Sequence, residues 1–412
     1  VRPLDTPLGR KRMIDQSSCN KDFSCIEGFC PSFVTIEGGS LRKSEPPVIG
    51  AGDPASELPD PELPEIGEAY NILLTGIGGT GVITVGANLG MAAHLEGKGC
   101  AVLDQTGLSQ KNGAVMSHVA ITNDPDRVLG TRIGTGMSDV IIGFDMVVAA
   151  GKDAINTMSA TRTKAVINDH LVPLAAFAER PDMPLEAGSY TNVITTALGD
   201  GQVDFFDATK QVSKLLGDNI TSNTFQLGYA FQKGYIPLKA ASLEEAIRLN
   251  NVAVEMNLRA FAWGRVAAAE PAKLNAIIGS SDTVTVSDFN LDKFIQDRMA
   301  DLTIYQNEIY AERYLVFIDK IREVLEQNNF DKNSLVEAVA RSLFKLMAYK
   351  DEYEVARAYT DDSYRLKLEA QFDGDYKIKF YFAPPLFATR DPLTGQPLKK
   401  EYGSSMWWLL KI

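Results

Sequence analysis

Apolar runs alternate with helix-compatible segments between residues 69 and 200 of the chain. Three of these runs, 113–121, 139–149 and 164–169, are short and bounded by turn or helix signals, and 192–199 is a further strand candidate. Alternating strand and helix patterns predict an α/β fold, an open and mostly parallel sheet with helices on both faces. Ligands of such sheets gather at the carboxyl ends of the strands, so polar residues at that edge are the first candidates for a site.

The first strand candidate leads into a glycine-rich turn. An apolar run at 72–74 is followed by GIGGTG at 76–81, then by a helix-compatible stretch and a second apolar run ending in Asp104. Glycines spaced G-x-G-x-x-G permit a tight turn and a close approach of the backbone to a phosphate at a helix start. The spacing also arises by chance, and in that alternative the glycines serve packing alone. The spaced glycines are Gly76, Gly78 and Gly81, and Gly79 and Thr80 complete the turn.

Three other residues near this turn suggest different roles. Asp104 ends the second strand, where an acid binds a ribose hydroxyl, so an NAD-dependent oxidoreductase is one alternative. The stretch GLSQKNG follows that strand and contains Lys111, whose ammonium would suit a phosphate, although a solvated lysine is the simpler alternative. His118 falls within a strand pattern and is predicted to be a hydrogen-bonded structural residue.

The pattern becomes helical after about residue 224. Ser242 with Glu245 fits a capping box, and so does Ser334 with Glu337, so each pair predicts a helix start. A helix packed on a core is also predicted within 286–327, with one apolar stripe. Its members are Phe317, Ile321, Val324 and Leu325. The segment 376–382, YKIKFYF, alternates apolar and polar residues and predicts an amphipathic strand.

A short acidic stretch at 46–68 holds six prolines and marks a domain boundary. Such a sequence cannot sustain a helix or an interior strand. Two alternatives remain open, a free linker and an irregular strap packed along the next domain. The predicted segments are 1–45 with clustered cysteines, 46–68 as the Pro-rich connection, 69–268 as the α/β domain and 285–412 as a mainly helical α+β domain.

Composition narrows the expected partners. Hydrophobic residues make up 45% and charged residues 23% of the 412 positions, and no apolar run approaches the roughly 18 to 20 residues of a membrane span. A net charge of -12 argues against nucleic acid and anionic membranes as partners. The N-terminus has neither an initiating Met nor a signal-peptide core, so we interpret the chain as a cytoplasmic piece of a longer protein.

Three of the four cysteines, Cys19, Cys25 and Cys30, lie within twelve positions and are followed at once by Pro31. A chain of this size does not need disulfides to fold, and nothing marks it for export. Clustered thiolates followed by Pro are typical of iron–sulfur ligation, but three thiolates leave one iron of a cube without a ligand. Inert loop cysteines are the open alternative, and zinc is less favoured because no His is close. Cys100 is predicted to be a buried strand residue.

Long segments resemble a known family. The stretches GIGGTGVITVGANLGMAAHLEGK, LDQTGLSQKNGAVMSHVAI and LGYAFQKGYIPLKAASLEEAIRLNNVAVEMNLRAFAWGR resemble the gamma domain of the 2-oxoacid:ferredoxin oxidoreductases. IDQSSCNKDFSCIEGFCPSF and LFKLMAYKDEYEVARAYTD resemble the fused indolepyruvate ferredoxin oxidoreductases of bacteria. The resemblance extends over essentially the whole chain. It implies a Rossmann-like gamma domain at 69–268.

The resemblance also implies cofactors and partners. Thiamine diphosphate and Mg would be held by N-terminal domains of the same polypeptide, which precede a ferredoxin-like segment whose remnant is 1–45. Cys19, Cys25 and Cys30 would then belong to a 4Fe-4S electron module whose other ligands lie upstream, so we expect the cluster to be missing or incomplete in this chain. The implied full enzyme is a homodimer that reduces ferredoxin.

In family members that use coenzyme A, the glycine turn and a pattern S-K-K-S-G-G-V-T-x-S-H approach its adenosine diphosphate portion. The matching stretch here runs from Ser109 to His118 and has Gln110 where the pattern has its first lysine. Gln110, Lys111 and Asn112 are the predicted contacts in this stretch. The implied activity is oxidative decarboxylation of an aryl 2-oxo acid to an acyl-coenzyme A, with no catalytic residue in this chain. A structural scaffold with an empty glycine turn is the further alternative.

Overall fold

The structure, a computed structural model, divides into two compact units. The first comprises Val1–Asn20 and Lys43–Ser281, and the second comprises Lys21–Arg42 and Asp282–Ile412. The residues that the structure describes are 2–6, 9–14, 21, 23–27, 32–42, 52–107, 113–127, 130–171, 187–199, 201–279, 290–328, 332–384 and 388–411.

Strands and helices are numbered along the chain. The strands are β1 (Arg2–Thr6), β2 (Gly9–Met13), β3 (Val34–Glu37), β4 (Ser40–Leu41), β5 (Tyr70–Ile77), β6 (Gly99–Thr106), β7 (Ala114–Thr122), β8 (Val140–Gly143), β9 (Lys164–Asn168), β10 (Val203–Phe206), β11 (Phe372–Asp373), β12 (Lys377–Phe382) and β13 (Lys400–Tyr402). The helices are α1 (Ser24–Glu27), α2 (Val82–Leu95), α3 (Met146–Ala149), α4 (Lys152–Ile155), α5 (Ala187–Leu198), α6 (Ala208–Leu216), α7 (Ser222–Gln232), α8 (Ala240–Asn250), α9 (Val254–Ala269), α10 (Pro271–Ile278), α11 (Leu291–Tyr305), α12 (Glu308–Asn328), α13 (Lys332–Met347), α14 (Glu352–Thr360), α15 (Asp362–Glu369) and α16 (Met406–Leu409).

A six-stranded sheet with the order β10-β9-β8-β5-β7-β6 is the centre of the first unit. The pairs β5 with β8, β8 with β9 and β9 with β10 are parallel. β7 is antiparallel to both β5 and β6, so it runs opposite to the other five strands. The predicted α/β fold with a mostly parallel sheet is therefore confirmed.

Successive residues of the central strands pack on opposite faces of the sheet. Ile72 and Leu74 join a core with residues of α2, α7, α8 and α9. Leu73, between them, joins a second core with residues of α3, α4 and α5. The same alternation occurs in β8 and β9, because side chains of a strand point alternately to its two faces. Continuous apolar runs in the sequence thus correspond to strands that are covered on both sides.

The strand candidate at 192–199 is wrong, because these residues lie in α5. Ile194 and Leu198 are both buried against the same core and are four residues apart, which is the spacing of a helix face. The run 139–149 also changes type within its length. It forms β8 and then, after Asp145, the short helix α3.

Helices α7 and α9 cross at backbone contact. A Cβ atom on Gly228 would lie 2.0 Å from the Phe261 carbonyl oxygen, and one on Gly264 would lie 2.0 Å from the Phe225 carbonyl oxygen. No side chain larger than hydrogen fits at either position. Both glycines are therefore required by the helix crossing, and they fix α7 on the face of the sheet that carries α2.

Both predicted capping boxes lie inside helices and not at their starts. Helix α8 begins at Ala240, two residues before Ser242, and its capping residue Lys239 makes no side-chain cap. The Lys239 N–H instead donates to Glu96 Oε1 at 2.7 Å, so a side chain at the end of α2 satisfies it. Helix α13 likewise includes Ser334 in its first turn.

Residues 52–68 form a strap packed along the first unit, which decides between the two alternatives for this part of the Pro-rich stretch. Ala55 is buried in the core around Trp263. Arg265 Nη2 donates to Asp60 Oδ1 at 2.7 Å, and Gln232 Nε2 donates to the Pro59 carbonyl oxygen at 2.9 Å. The remainder of the stretch, 46–51, lies outside the described residues.

The second unit combines helices with a three-stranded sheet of order β13-β12-β3. β12 is the predicted amphipathic strand, and its Phe380 is buried while Lys379 pairs with Glu37 and Glu401. Both β3 and β4 come from residues 34–41, which the sequence analysis had grouped with 1–20. They pair with β12 and β11, so 21–42 belong to the C-terminal unit. No helix of the described residues is both long and apolar enough to cross a membrane.

The predicted apolar stripe of α12 is partly wrong. Phe317 and Val324 are 46% and 47% exposed, whereas Leu325 is buried. The buried face follows steps of three and four residues from Ala311, as a helix packed on one side must. Its members are Ala311, Tyr314, Ile318 and Leu325, with Ile321 partly buried.

Candidate functional site

The glycine turn, residues 78–81, connects β5 to α2 at the carboxyl edge of the sheet. Gly79 and Gly81 have φ angles of 86° and 94°, in the left-handed region that glycine adopts readily. Gly79 and Thr80 are exposed, and the flanking Gly78 and Gly81 are partly buried. The tip of the turn is therefore open backbone.

Gly76 has a different role, although it belongs to the same G-x-G-x-x-G pattern. It lies within β5, where it is buried, and a Cβ atom there would lie 2.7 Å from Val82 Cγ2. Its lack of a side chain allows the start of α2 to pack directly on the strand. Gly76 is accordingly required for packing of α2 on β5, and its contact with a ligand stays a prediction.

Four hydrogen bonds hold the turn. The Gly78 N–H donates to the Gly113 carbonyl oxygen at 2.7 Å. The Thr80 hydroxyl and the Thr80 N–H both donate to the Ile77 carbonyl oxygen, at 2.7 and 3.3 Å. The Asn223 side-chain amide, from the start of α7, donates to the Thr80 carbonyl oxygen at 2.8 Å. The turn is fixed by its own strand, by the start of β7 and by α7.

The electrostatics of the turn favour an anion. Helix α2 has 14 residues and begins at Val82, with Gly81 as a capping residue that makes no side-chain cap. The first N–H groups of a helix have no intrahelical acceptor, and the aligned peptide dipoles leave partial positive charge there. Exposed glycines in front of such a helix start allow a phosphate to approach closely.

The turn also lies where the helices change sides of the sheet. α2, which follows β5, packs on one face, and α3, which follows the adjacent parallel strand β8, packs on the other. A crevice opens outside the carboxyl ends of two such strands, and open α/β sheets bind their ligands there. Topology and the glycine turn thus indicate the same position.

A layer of buried polar side chains lies below this edge. Gln226 Nε2 donates to the Gly143 carbonyl oxygen at 3.1 Å. Among the described residues, no partner is found for Gln226 Oε1 or for Thr75 Oγ1, and both side chains are fully buried. Buried polar atoms of this kind are usually satisfied by ordered water. Both side chains lie beneath this edge of the sheet and are shielded from solvent.

Asp145 caps the short helix α3 at the same edge. Its Oδ1 accepts a hydrogen bond from the Val148 N–H at 2.8 Å, and its side chain is almost fully buried. Burial raises the pKa of this carboxyl to about 6, and the N–H of Val148 and the nearby His170 offset part of that rise. Asp145 therefore titrates near neutral pH, which sequence reasoning did not detect.

A further polar cluster follows β9 and β10 and was also missed. His170 Nδ1 lies 3.2 Å from Asp207 Oδ2, and Asp207 Oδ1 accepts from the Lys210 N–H at 2.7 Å as the cap of α6. Although burial opposes it, the hydrogen bond with His170 lowers the pKa of Asp207. Burial and the charge of Asp207 raise the pKa of Asp169. The polar triplet at the end of β9, Asn168 to His170, was the available signal for the position but not for the partner Asp207.

Ser109, Gln110, Lys111 and Asn112 lie outside the described residues. The described residues on either side of this stretch lie at the same edge of the sheet as the glycine turn, because Thr106 ends β6 and Ala114 begins β7. Gly113, the next residue after Asn112, contacts Gly78 directly. Contact between Lys111 and a ligand at the turn stays a prediction.

Asp104 does not occupy the position of a ribose-binding acid. The antiparallel strand β7 lies between β5 and β6. Strand β6 is therefore two strand spacings, about 10 Å, from β5, the strand that leads into the glycine turn. In a dinucleotide-binding fold the second strand would be the direct neighbour of the first. Asp104 is an exposed residue of an edge strand.

Of the predicted cluster ligands, Cys19 and Cys30 lie outside the described residues. Cys25 lies in the one-turn helix α1 and is partly buried. The cysteine ligand set therefore stays a prediction. Cys100 is partly buried in β6, and burial raises the pKa of its thiol to about 11.

His118 has the predicted structural role. It is 2% exposed, its Nδ1 accepts from the Ile133 N–H at 3.3 Å, and its Nε2 is 3.2 Å from Gln105 Oε1. An accepting Nδ1 implies that Nε2 carries the proton. Burial and the charge of Arg132 lower its pKa, so the ring is neutral near pH 7.

Known families match two separate parts of the chain. Residues 71–267 match the family described as pyruvate ferredoxin/flavodoxin oxidoreductase. Residues 291–412 match a family of unknown function (DUF6537). The first match contains the whole six-stranded sheet and the glycine turn, except for the first residue of β5.

Curated relatives match about half of the chain. An indolepyruvate oxidoreductase subunit IorB from Pyrococcus horikoshii is 30% identical over 210 residues, which are 49% of this chain and 96% of the relative. The corresponding subunit from Thermococcus kodakarensis is 28% identical over 211 residues, 49% of this chain and 96% of the relative.

A solved structure, the keto/oxoacid ferredoxin oxidoreductase gamma subunit from Geobacter sulfurreducens, is 21% identical with a TM-score of 0.35. The alignment covers 48% of this chain and 98% of that one. The curated relatives establish the kinship, since the matched region spans nearly their whole length. This chain belongs to the 2-oxoacid:ferredoxin oxidoreductase family.

Proposed function

We propose that this chain is the gamma-type part of an indolepyruvate:ferredoxin oxidoreductase and that its glycine turn seats the pyrophosphate of coenzyme A. In the overall reaction an aryl 2-oxo acid, coenzyme A and two oxidised ferredoxins give an acyl-coenzyme A, carbon dioxide, two reduced ferredoxins and a proton. The relatives' name, indolepyruvate oxidoreductase, supports the substrate class. This chain contributes binding, and the bond-breaking steps belong to other domains.

The observation that carries the proposal is the open turn at Gly79 and Thr80. It lies in front of a 14-residue helix, at the point where successive helices change from one face of the sheet to the other. A pyrophosphate there would accept hydrogen bonds from the backbone of the turn and the first turn of α2. The four hydrogen bonds that hold the turn keep this backbone in place before the ligand arrives. Lys111, from the stretch that precedes Gly113, would add a charge-assisted hydrogen bond.

The remaining groups of the reaction are part of the same proposal. Thiamine diphosphate with Mg supplies the carbanion chemistry when it is bound to N-terminal domains, and a 4Fe-4S module passes single electrons to ferredoxin. Cys19, Cys25 and Cys30 would contribute thiolates to that module. The full enzyme would be a homodimer.

Calorimetric titration of this chain with coenzyme A tests the pyrophosphate site. We expect micromolar binding that weakens about tenfold or more in Lys111→Ala, the cost of one charge-assisted hydrogen bond. Lys239→Ala is the matched control, because Lys239 is an exposed lysine beside the opposite end of α2. Gln110→Lys restores the lysine pair of the resembling pattern and is expected to tighten binding.

Several outcomes would contradict the proposal. Equal affinity of the parent chain and Lys111→Ala removes Lys111 from the site. Absence of binding by either favours the scaffold alternative. Tighter binding of NADH than of coenzyme A would favour the dinucleotide alternative, which the position of Asp104 disfavours.

A further inference from the structure

Strand β6 forms one edge of the six-stranded sheet. All eight of its residues pair with β7 in an unbroken antiparallel register. In such a pair, alternate residues direct their N–H and C=O groups away from the partner strand. Half of the residues of β6 therefore present backbone donors and acceptors on its outer side. Within the part of the chain that the structure describes, no backbone hydrogen bond joins β6 to any segment other than β7.

This edge lacks the features that usually prevent the addition of a strand. Sheet edges are commonly protected by proline, by lysine, by a bulge or by a short length. β6 contains neither proline nor lysine, its register with β7 has no bulge, and Asp104 is its one charged residue. The opposite edge, β10, has four residues, and its Asp204 pairs with Lys233 at 3.3 Å. β6 is thus the edge of this sheet at which a further strand can add.

Exposed apolar side chains lie beside this edge. Val102, in the middle of β6, is 38% exposed. It lies on the face of the sheet that carries α2, since a Cβ atom on Gly90 of α2 would lie 3.3 Å from Val102 Cγ2. Ile83 is seven residues before Gly90, so it is on the same side of α2, and it is 42% exposed. A strand that adds to β6 would cover part of this apolar surface.

A second copy of β6 can add to this edge by symmetry. Two copies of an edge strand pair antiparallel about a two-fold axis perpendicular to the sheet, which keeps α2 on the same face in both copies. Residues opposite each other in such a pair point to the same face. The register is therefore defined by the residue that lies opposite its own copy. A register centred on Val102 pairs 99–105 with itself, and one centred on Leu103 pairs 100–106 with itself.

The charge of Asp104 distinguishes these two registers. With Leu103 on the axis, the two Asp104 side chains are diagonal neighbours, about 7–8 Å apart, and repel each other. With Val102 on the axis, Asp104 lies opposite residue 100 of the second copy, and its diagonal neighbour is Lys98 of that copy. Lys98 also pairs with Glu96 of its own copy, at 2.6 Å. Charge complementarity therefore favours the register centred on Val102.

From the unprotected edge, its apolar flank and this register we propose that β6 is the contact between two copies of this chain. The pairing joins the two six-stranded sheets into one continuous sheet, with Val102 opposite Val102 on the α2 face and Ala101 opposite Leu103 on the other face. Each copy uses its one open edge, so the assembly closes at two. The proposal rests on the homodimer of the proposed function, to which it assigns a surface, and it does not depend on coenzyme A.

Analytical ultracentrifugation of the complete chain measures this assembly. We expect a dimer at micromolar concentration. Val102→Lys replaces an apolar pair on the axis with two cations directly opposite each other, so it should raise the Kd for dimerisation about tenfold or more. Val193→Lys is the matched control, because Val193 is 44% exposed on α5, which packs on the other face of the sheet. It should dimerise like the parent.

Hydrogen exchange locates the contact. In the parent, the amides of β6 that point away from β7 should exchange about tenfold more slowly well above the Kd than well below it. At the higher concentration the same amides should exchange quickly in Val102→Lys. The amides of β10, at the other edge of the sheet, should be unaffected by concentration. Coenzyme A affinity should be equal in the parent and in Val102→Lys, so this proposal and the pyrophosphate site fail separately.

Three results would overturn the proposal. The first is a parent chain that stays monomeric at about 100 µM, which would mean that the edge does not pair with its own copy. The second is a dimer with the same Kd in Val102→Lys and in Val193→Lys, which would place the contact elsewhere. The third is growth into larger open assemblies, which a pairing about a two-fold axis cannot produce.

Discussion

At the scale of single residues, Asp145 gives the sharpest electrostatic prediction. Its folded pKa of about 6 lies above the usual 3.8, so the folded state binds a proton that the unfolded state releases. The stabilisation from this proton is fully present below about pH 4 and is lost as pH rises through 6. The difference amounts to about 3 kcal/mol at most.

Asp145→Asn should remove this pH dependence. The amide oxygen can still accept from the Val148 N–H, so the cap of α3 is retained. Urea unfolding at pH 4.5 and pH 7.5 should show a smaller loss of unfolding free energy with rising pH in the variant than in the parent. Asp351→Asn, at another helix cap, is the control. Parallel pH profiles for the parent and Asp145→Asn would mean that Asp145 is ionised throughout.

Single residues also show what local sequence can reveal about the candidate site. The glycine-rich run predicted the turn, because the φ angles of Gly79 and Gly81 lie in a region that glycine adopts readily. The hydrogen bond from Asn223 to Thr80 joins residues 143 positions apart, and nothing in the sequence near either residue announces it. The pairing of His170 with Asp207 likewise joins residues 37 positions apart, and the burial of Asp145 follows from tertiary packing.

At the scale of elements, the close crossing of α7 and α9 leads to a prediction about stability. Gly228→Ala would place a Cβ atom 2.0 Å from the Phe261 carbonyl oxygen, so the two backbones must separate. We expect a loss of about 3 kcal/mol or more in unfolding free energy. Because α7 carries Asn223, coenzyme A binding should also weaken.

Gly188→Ala is the matched control for this change. Gly188 lies in the first turn of α5, is exposed, and has no atom within 4 Å of an added Cβ. This alanine should be neutral or stabilise the protein by up to about 1 kcal/mol. Urea unfolding of both variants measures the contrast. Similar stabilities for the two variants would show that α7 and α9 can move apart freely.

Element types followed largely from periodicity, whereas element order did not. Strand and helix patterns identified β5 from its continuous apolar run and α2 and β12 from their periodicity. The placement of β7 between β5 and β6 depends on pairing across the sheet, which no local pattern encodes. The capping box at Ser242 failed because Glu96, far away in the chain, satisfies the start of α8. The sequence therefore predicted the position of the turn but not the strand that removes Asp104 from it.

At the scale of the whole molecule, the chain returns on itself. Residues 34–37 form β3, which pairs with β12 some 340 positions later: Ile36 is opposite Ile378, and Val34 is opposite Phe380. Val34 also packs against the small core around Phe380. A segment that the sequence placed with the N-terminal cysteines is thus a structural part of the C-terminal unit.

This pairing predicts that Val34→Asp damages a distant segment. The change removes the apolar burial of the Val34 side chain and places a carboxylate beside Phe380, where it must be desolvated. We expect a loss of roughly 1–3 kcal/mol in the unfolding free energy. Hydrogen exchange of the β12 amides should then accelerate about tenfold or more, while exchange in β5 stays unchanged. Val316→Asp, at a valine 67% exposed on α12, should leave β12 protected. If β12 exchanges at the parent rate in Val34→Asp, then β3 is dispensable, and the C-terminal unit consists of the later segment alone.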